Sequence, residues 1–257
     1  MTARDLVKIL NFYGRFTPSF TKTGYFGRGL FLKRYSQDFA GQRWLVTGAS
    51  GGIGRAILLA AAKGGAEVVA VARSETKLQS LMDEMPAEAR DRASYRIADM
   101  SLQSETEQLR DQLLGEEGTF DVLINNVGVL FPKLALTGEG REATFVTNLL
   151  SHYILTEGLA GNDKIAAGGV VVNMTSGGMY NSPISTKMLN VVDASVYNGK
   201  IAYGAHKRGQ AVLTGYWNAK YRSKHIDFYV MHPGWTKTQG VKDAVPVFYK
   251  LQHDILR

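Results

Sequence analysis

The sequence predicts an α/β domain whose parallel sheet is covered by helices on both faces, and three observations carry that expectation. Short apolar runs of strand length alternate with longer segments of helical pattern from Arg43 to His232. Such alternation builds parallel sheets with helical crossovers. A glycine-rich turn, Thr47-Gly48-Ala49-Ser50-Gly51-Gly52-Ile53-Gly54, joins the first of these strands to the first helix. The residues able to do chemistry fall at the carboxyl ends of strands, on the turns that follow or on helices, where open parallel sheets bind their ligands.

The elements follow in order. Trp44-Leu45-Val46 forms the apolar heart of a strand over Arg43–Thr47, and the run Ile53–Lys63 after the turn reads as a helix. Val68-Val69-Ala70-Val71-Ala72 lacks polar alternation, the mark of a strand covered on both sides, and gives Glu67–Ala72. A helix is expected over Glu75–Met85, then strands over Ala93–Asp99 and Asp121–Asn125. Val170-Val171-Val172 centres a strand over Gly169–Thr175, Ala202–Arg222 is helical, and Ile226–His232 is the last strand. The glycine turn makes the sheet Rossmann-like and doubly wound, because bare backbone there lets a dinucleotide pyrophosphate approach a helix N-terminus. A glycine turn alone is weak evidence.

Further signals appear in chain order. Arg73 ends the second strand, Asp99 the third, and Asn125-Asn126-Val127-Gly128 the fourth. Asn148 lies in a helical segment, Ser176 ends the fifth strand, and Tyr203-Gly204-Ala205-His206-Lys207 and Pro233-Gly234 with Thr238 complete the set. Together these motifs resemble the short-chain dehydrogenase/reductase family in its common single-domain form, from Arg43 to Thr238. Ser176-Gly177-Gly178-Met179, the long link to Tyr203 and His232-Pro233-Gly234-Trp235 resemble its retinol-dehydrogenase-like branch, closest in look to the family called dehydrogenase/reductase member 12.

The resemblance implies a bound dinucleotide. Gly48, Ser50, Gly52, Ile53 and Gly54 would cradle its phosphates, and Asp99 would meet the adenine amino group, with a helix cap before Leu102 as the plain reading. Asn125 is expected to tie backbone at its strand end, beside the cofactor. Pro233 and Gly234 shape a turn from which Thr238 would bond the carboxamide. The second strand ends in Arg73, without the carboxylate that binds the ribose 2′-hydroxyl of NAD. Arginine suits a 2′-phosphate, so NADP(H) is favoured and NAD(H) is the alternative.

Catalysis is expected from Asn148, Ser176, Tyr203 and Lys207. Carbonyl reduction needs a proton donor, and a free tyrosine near pH 10 is too weak an acid to serve both directions near neutrality. Lys207 stands at i+4 from Tyr203 on one helix face, where its charge would lower the phenol pKa while its ammonium holds the nicotinamide ribose. Ser176 would polarise the carbonyl. Asn148 resembles the family residue that holds a relay water. A second Tyr-x-x-x-Lys, Tyr216 to Lys220, is turned away by about 220° on the same helix and reads as surface or packing. His206 reads as a spacer, and His232 as a buried polar residue.

Composition bounds the rest. The 257 residues, 45% apolar, can bury one substantial core. There is no cysteine, so disulfides and thiolate chemistry are excluded. The histidines show no metal-ligand spacing, and no apolar run is long enough to span a bilayer. Residues 1–40, read as an extension ahead of the domain at 41–257, hold seven cations against two carboxylates, and nine aromatics. Such a segment suits a peripheral membrane contact on an otherwise cytoplasmic protein, or else covers an apolar flank. Nucleic acid binding has no other support. The 26 residues between Ser176 and Tyr203 bring Met179, Tyr180, Met188, Leu189, Val191, Val192, Val196 and Tyr197, an apolar wall for a lipophilic carbonyl or alcohol. The chain ends 19 residues after Thr238, which leaves open a sheet without its last strand and the oligomeric state. A non-catalytic nucleotide-binding or membrane-associated scaffold is the alternative to an enzyme.

Overall fold

The computed structural model describes residues 36–234 and Thr236, preceded by residues 20–32, Val7, Asn11 and 14–16. The chain divides into two compact units, Gln37–His232 and a second comprising Met1–Ser36 and Pro233–Arg257.

In the larger unit, β1 (Arg43–Thr47), β2 (Glu67–Ala72), β3 (Ala93–Ile97), β4 (Phe120–Asn125), β5 (Ile165–Met174) and β6 (Asp227–Met231) form one sheet in the order β3-β2-β1-β4-β5-β6. Every pairing is parallel. The order reverses beside β1, which lies between β2 and β4, so the crevice of a doubly wound sheet opens at the carboxyl ends of β1 and β4.

Strand residues alternate between two cores. Leu45, Val69, Val71, Leu123 and Val171 face one packed by Leu109, Leu113, Leu155, Leu159 and Trp217. Val46, Val68, Ala70, Val122 and Ile124 face another, with Leu58, Ala61, Leu78 and Leu81. Both faces are therefore covered, which is why the strands read as unbroken apolar runs.

The helices of this unit run over Gly52–Lys63, Glu75–Asp83, Gln103–Gly115, Ser151–Gly161 and Gly199–Lys220. The one at Ser151–Gly161 is led in by Ala143–Phe145 and a π-turn over Val146–Leu150. The helix that ends at Lys220 begins three residues before the expected start, because the Asn198 side chain accepts from the Lys200 and Ile201 backbones. β3 stops short of Asp99 because the Asp99 N–H leaves the ladder for the Glu105 carboxylate, at 2.7 Å.

In the smaller unit, the helix Lys22–Gly29 is capped by the Thr21 side chain. Tyr25, Phe26, Leu30, Phe31 and Leu32 are exposed there. Pro233 and Gly234 belong to this unit, and Gly234 takes a φ of +73° against the Phe20 backbone. Thr238 and the residues that follow it lie outside the described residues. Among the described residues, no helix is long and apolar enough to cross a membrane.

Candidate active site

The glycine turn leaves β1 with Gly48 at φ +66°, the left-handed region that glycine alone adopts freely. Ser50 and Ile53 are half-buried, while Gly51 and Gly52 are exposed. Gly51 caps Gly52–Lys63 with no side-chain hydrogen bond, leaving the first N–H groups of that helix at the crevice. Asn126 holds the turn in place. Its amide donates to the Thr47 and Gly48 carbonyls at 2.9 and 3.3 Å, while the Thr47 hydroxyl accepts from the Asn126 and Val127 backbones.

The backbone tie expected of Asn125 thus belongs to its neighbour. Asn125 is fully buried and donates instead to Thr156 and Asn173, both at 2.9 Å, so its side chain binds sheet to helix and does not reach the crevice. Successive strand residues face opposite sides, and the chain leaves β4 between the two asparagines. Arg73 is exposed just after β2. Asp99 is half-buried and closes a turn onto the Ser101 N–H and hydroxyl. It is not the helix cap, a task taken from a distance by Glu139, which accepts from the Gln103 and Ser104 backbones.

Ser176, Tyr203, Lys207 and Asn148 converge at the end of β5. Lys207 Nζ lies 5.6 Å from the Tyr203 ring centre, as the i+4 spacing requires, and donates to the Met174 carbonyl at 2.8 Å. An ideal Cβ at Gly128 would lie 3.3 Å from both Asn148 Oδ1 and Lys207 Nζ, so the β4 loop packs against both. Burial alone brings the Lys207 ammonium down to about 7. Burial pushes the Tyr203 phenol up, and its hydrogen bond with Ser176 acts in the opposite sense. Desolvation is thus the leading influence on both groups, and the expected lowering of the phenol by Lys207 is not among the causes that act on it here.

Asn148 sits in the π-turn with its amide engaged at both ends by Val129, accepting from N–H at 2.8 Å and donating to C=O at 2.7 Å. Its side chain is thus committed to the β4 loop. Its carbonyl accepts from Gln210 at 2.7 Å, and the same Gln210 amide meets His152 Nδ1. An amide N–H only donates, so Nδ1 accepts and the proton sits on Nε2, which donates to the Val127 carbonyl. Burial, then the Lys207 charge, hold this imidazole down to about 3.

The sequence reading missed this brace. The i+4 spacing of Asn148 and His152 was its one available signal. His206 is no spacer: it is fully buried, with Nε2 3.5 Å from the equally buried Glu142. Tyr216 is half exposed, as read, and Lys220 pairs with Glu157. Of the apolar side chains singled out in the linking segment, Met179 is buried, whereas Tyr180, Val192 and Val196 are exposed.

The sequence pattern of the family described as short chain dehydrogenase matches residues 42–246. Human dehydrogenase/reductase SDR family member 12 is 34% identical over 218 residues, 84% of this chain and 68% of that protein. Bovine retinol dehydrogenase 12 is 27% identical over 240 residues, 93% and 74% of the two chains. Among solved structures, a short chain dehydrogenase from Salmonella enterica superposes with a TM-score of 0.67 at 21% identity, over 84% of this chain and 85% of that one. A blue fluorescent protein from a metagenomic library, solved with NADPH, gives 0.64 at 24% identity, over 79% and 77%. The chain belongs to the short-chain dehydrogenase family, whose members are NAD(P)-dependent oxidoreductases acting on CH–OH groups.

Proposed function

We propose that the protein interconverts a carbonyl and an alcohol on a lipophilic substrate with NADP(H). The observation that carries this reading is the Ser176–Tyr203 hydrogen bond beside Lys207, at the carboxyl edge of the sheet that also bears the glycine turn. The crevice fits a dinucleotide by its uncapped helix N-terminus and by Gly51, where a Cβ would meet open space. Reduced nicotinamide supplies the hydride when bound. Ser176 orients the carbonyl, Tyr203 gives its phenolic proton to the developing alkoxide, and Lys207 stabilises the phenolate left behind. Nucleotide ribose hydroxyls and added negative charge would draw the Lys207 ammonium toward the cofactor and favour its protonated form. Asn148 acts by position, fixing the β4 loop opposite Lys207.

Arg73 selects NADP(H). Its exposed guanidinium at the β2 end offers paired donors to a 2′-phosphate. Losing a charge-assisted contact of ~1.5–3 kcal/mol, Arg73→Ala should weaken NADPH about 10- to 100-fold and leave NADH unchanged. Fluorescence titration of both nucleotides checks this, and equal weakening would sink the assignment.

The smaller unit carries a second part of the proposal, contact with an anionic membrane. Phe31, Leu30 and Tyr25 are 88%, 83% and 75% exposed beside Arg28, a pairing suited to a headgroup layer. Deleting residues 1–32 should abolish co-sedimentation with phosphatidylserine liposomes and spare nucleotide binding. Full-length protein that ignores such liposomes refutes the contact.

A further inference from the structure

Glu142 is a fully buried carboxylate that the proposed chemistry does not use. It sits where the loop after β4 enters the helical run that contains Asn148, and the linking segment after Ser176 folds onto it. Its backbone N–H donates to Asn190 Oδ1 at 2.9 Å. Its Oε1 accepts from the Tyr197 phenol at 3.1 Å, and Val191 gives the carboxylate a backbone N–H. Oε2 faces His206, the residue before Lys207. The Tyr197 hydroxyl also reaches the Phe131 carbonyl at 3.3 Å and Thr144 at 3.4 Å. Other hydrogen bonds of residues 186–198 that involve a side chain are local, cap the helix that carries Tyr203, or join the Leu189 backbone to His206. Close packing joins the same pieces: a Cβ at Gly199 would strike the Phe131 backbone. A carboxylate without solvent is costly, and one kept for packing alone would be replaceable by an apolar group.

We propose that Glu142 is a positioning residue, which through Tyr197, Asn190 and His206 anchors residues 186–198 as the substrate-side wall over the helix of Tyr203 and Lys207. The wall's role rests on the oxidoreductase reading, but the anchor does not. Released, the segment would swing from the helix start while the sheet and the nucleotide crevice stayed intact.

Native-state trypsin cleavage after the exposed Lys187, followed by mass spectrometry, reads the anchor directly in the full chain. Tyr197→Phe keeps the ring and removes a hydrogen bond to a carboxylate, so cleavage should quicken about tenfold or more. Glu142→Ala, which removes both carboxylate oxygens, should do the same. Asn190→Ala, which severs only the contact to the Glu142 backbone, serves if either variant loses its cooperative melt. NADPH affinity should stay within about twofold of wild type, and KM for an apolar dicarbonyl such as 9,10-phenanthrenequinone should rise about tenfold with kcat little changed. Cleavage rates equal to wild type overturn the anchor. Faster cleavage with unchanged KM overturns the wall. A wild type that binds NADPH yet turns over no carbonyl brings down the oxidoreductase reading and the wall with it, while the cleavage rates still judge the anchor.

Discussion

Tyr203→Phe is expected to lower carbonyl turnover by about 10²–10⁴-fold while nucleotide affinity stays close to that of wild type. The substitution removes one oxygen from a half-buried ring and leaves its packing beside Lys207 in place. The lost group is the only acid in the Ser176–Tyr203–Lys207 set positioned to protonate an alkoxide, because Ser176 is far less acidic and Lys207 is turned to the Met174 carbonyl. Tyr216→Phe is the matched control, since its ring is half exposed on another face of the helix and should change nothing. The pH profile gives the same assignment a sign. Reduction consumes the protonated phenol, and the charge of Lys207, brought down to about 7 by burial, is lost as pH rises. Reduction should therefore weaken toward alkaline pH. Full activity in Tyr203→Phe would assign the proton to another group.

Much of the frame was legible because it is written locally. β1 and β2 fall where continuous apolar runs placed them, since strands buried on both faces need apolar side chains at every position. The Tyr203–Lys207 relation was equally legible, because i+4 spacing fixes it within one helix. What escaped is the set of buried polar contacts between distant segments. Glu142 lies in the stretch Gly138-Glu139-Gly140-Arg141-Glu142, whose composition reads as a solvated loop. Its burial follows from Asn190, Tyr197 and His206, all about 50 or more residues away. Charged residues are so seldom buried that sequence alone favours the opposite reading. Asn125 and Asn126 show the same limit at close range. β4 ends at Asn125 as expected, yet which of the two neighbours reaches the glycine turn depends on how the chain bends after the strand, which the local pattern does not state. The pKa relations failed to follow from spacing for a related reason: i+4 gives the distance between Tyr203 and Lys207, but not the desolvation that dominates both groups.

Gly54→Ala should destabilise the domain by ~1–3 kcal/mol, lowering its melting temperature by about 2–4 °C per kcal/mol, and should weaken nucleotide binding as well. An ideal Cβ at this position would lie 2.5 Å from the Gly48 carbonyl oxygen and 3.0 Å from its carbon, and would press on the Asn126 amide. Two of those atoms are backbone and cannot rotate aside. The third belongs to the clamp that joins the turn to the end of β4, so yielding there breaks the bonds to Thr47 and Gly48. Either the helix moves off the turn or the turn leaves β4, and both spoil the N–H array at the crevice. Gly51→Ala separates the two consequences. Its φ of −167° is open to any residue, and its Cβ would meet no protein atom within 4 Å. That variant should melt like wild type yet bind NADPH more weakly, because the methyl group would occupy the space that the phosphates need. Weakened binding in Gly51→Ala at unchanged stability would locate the phosphates on this face. Unchanged binding would move them elsewhere, and a Gly54→Ala protein with wild-type melt and affinity would show that close approach of helix and turn is not required.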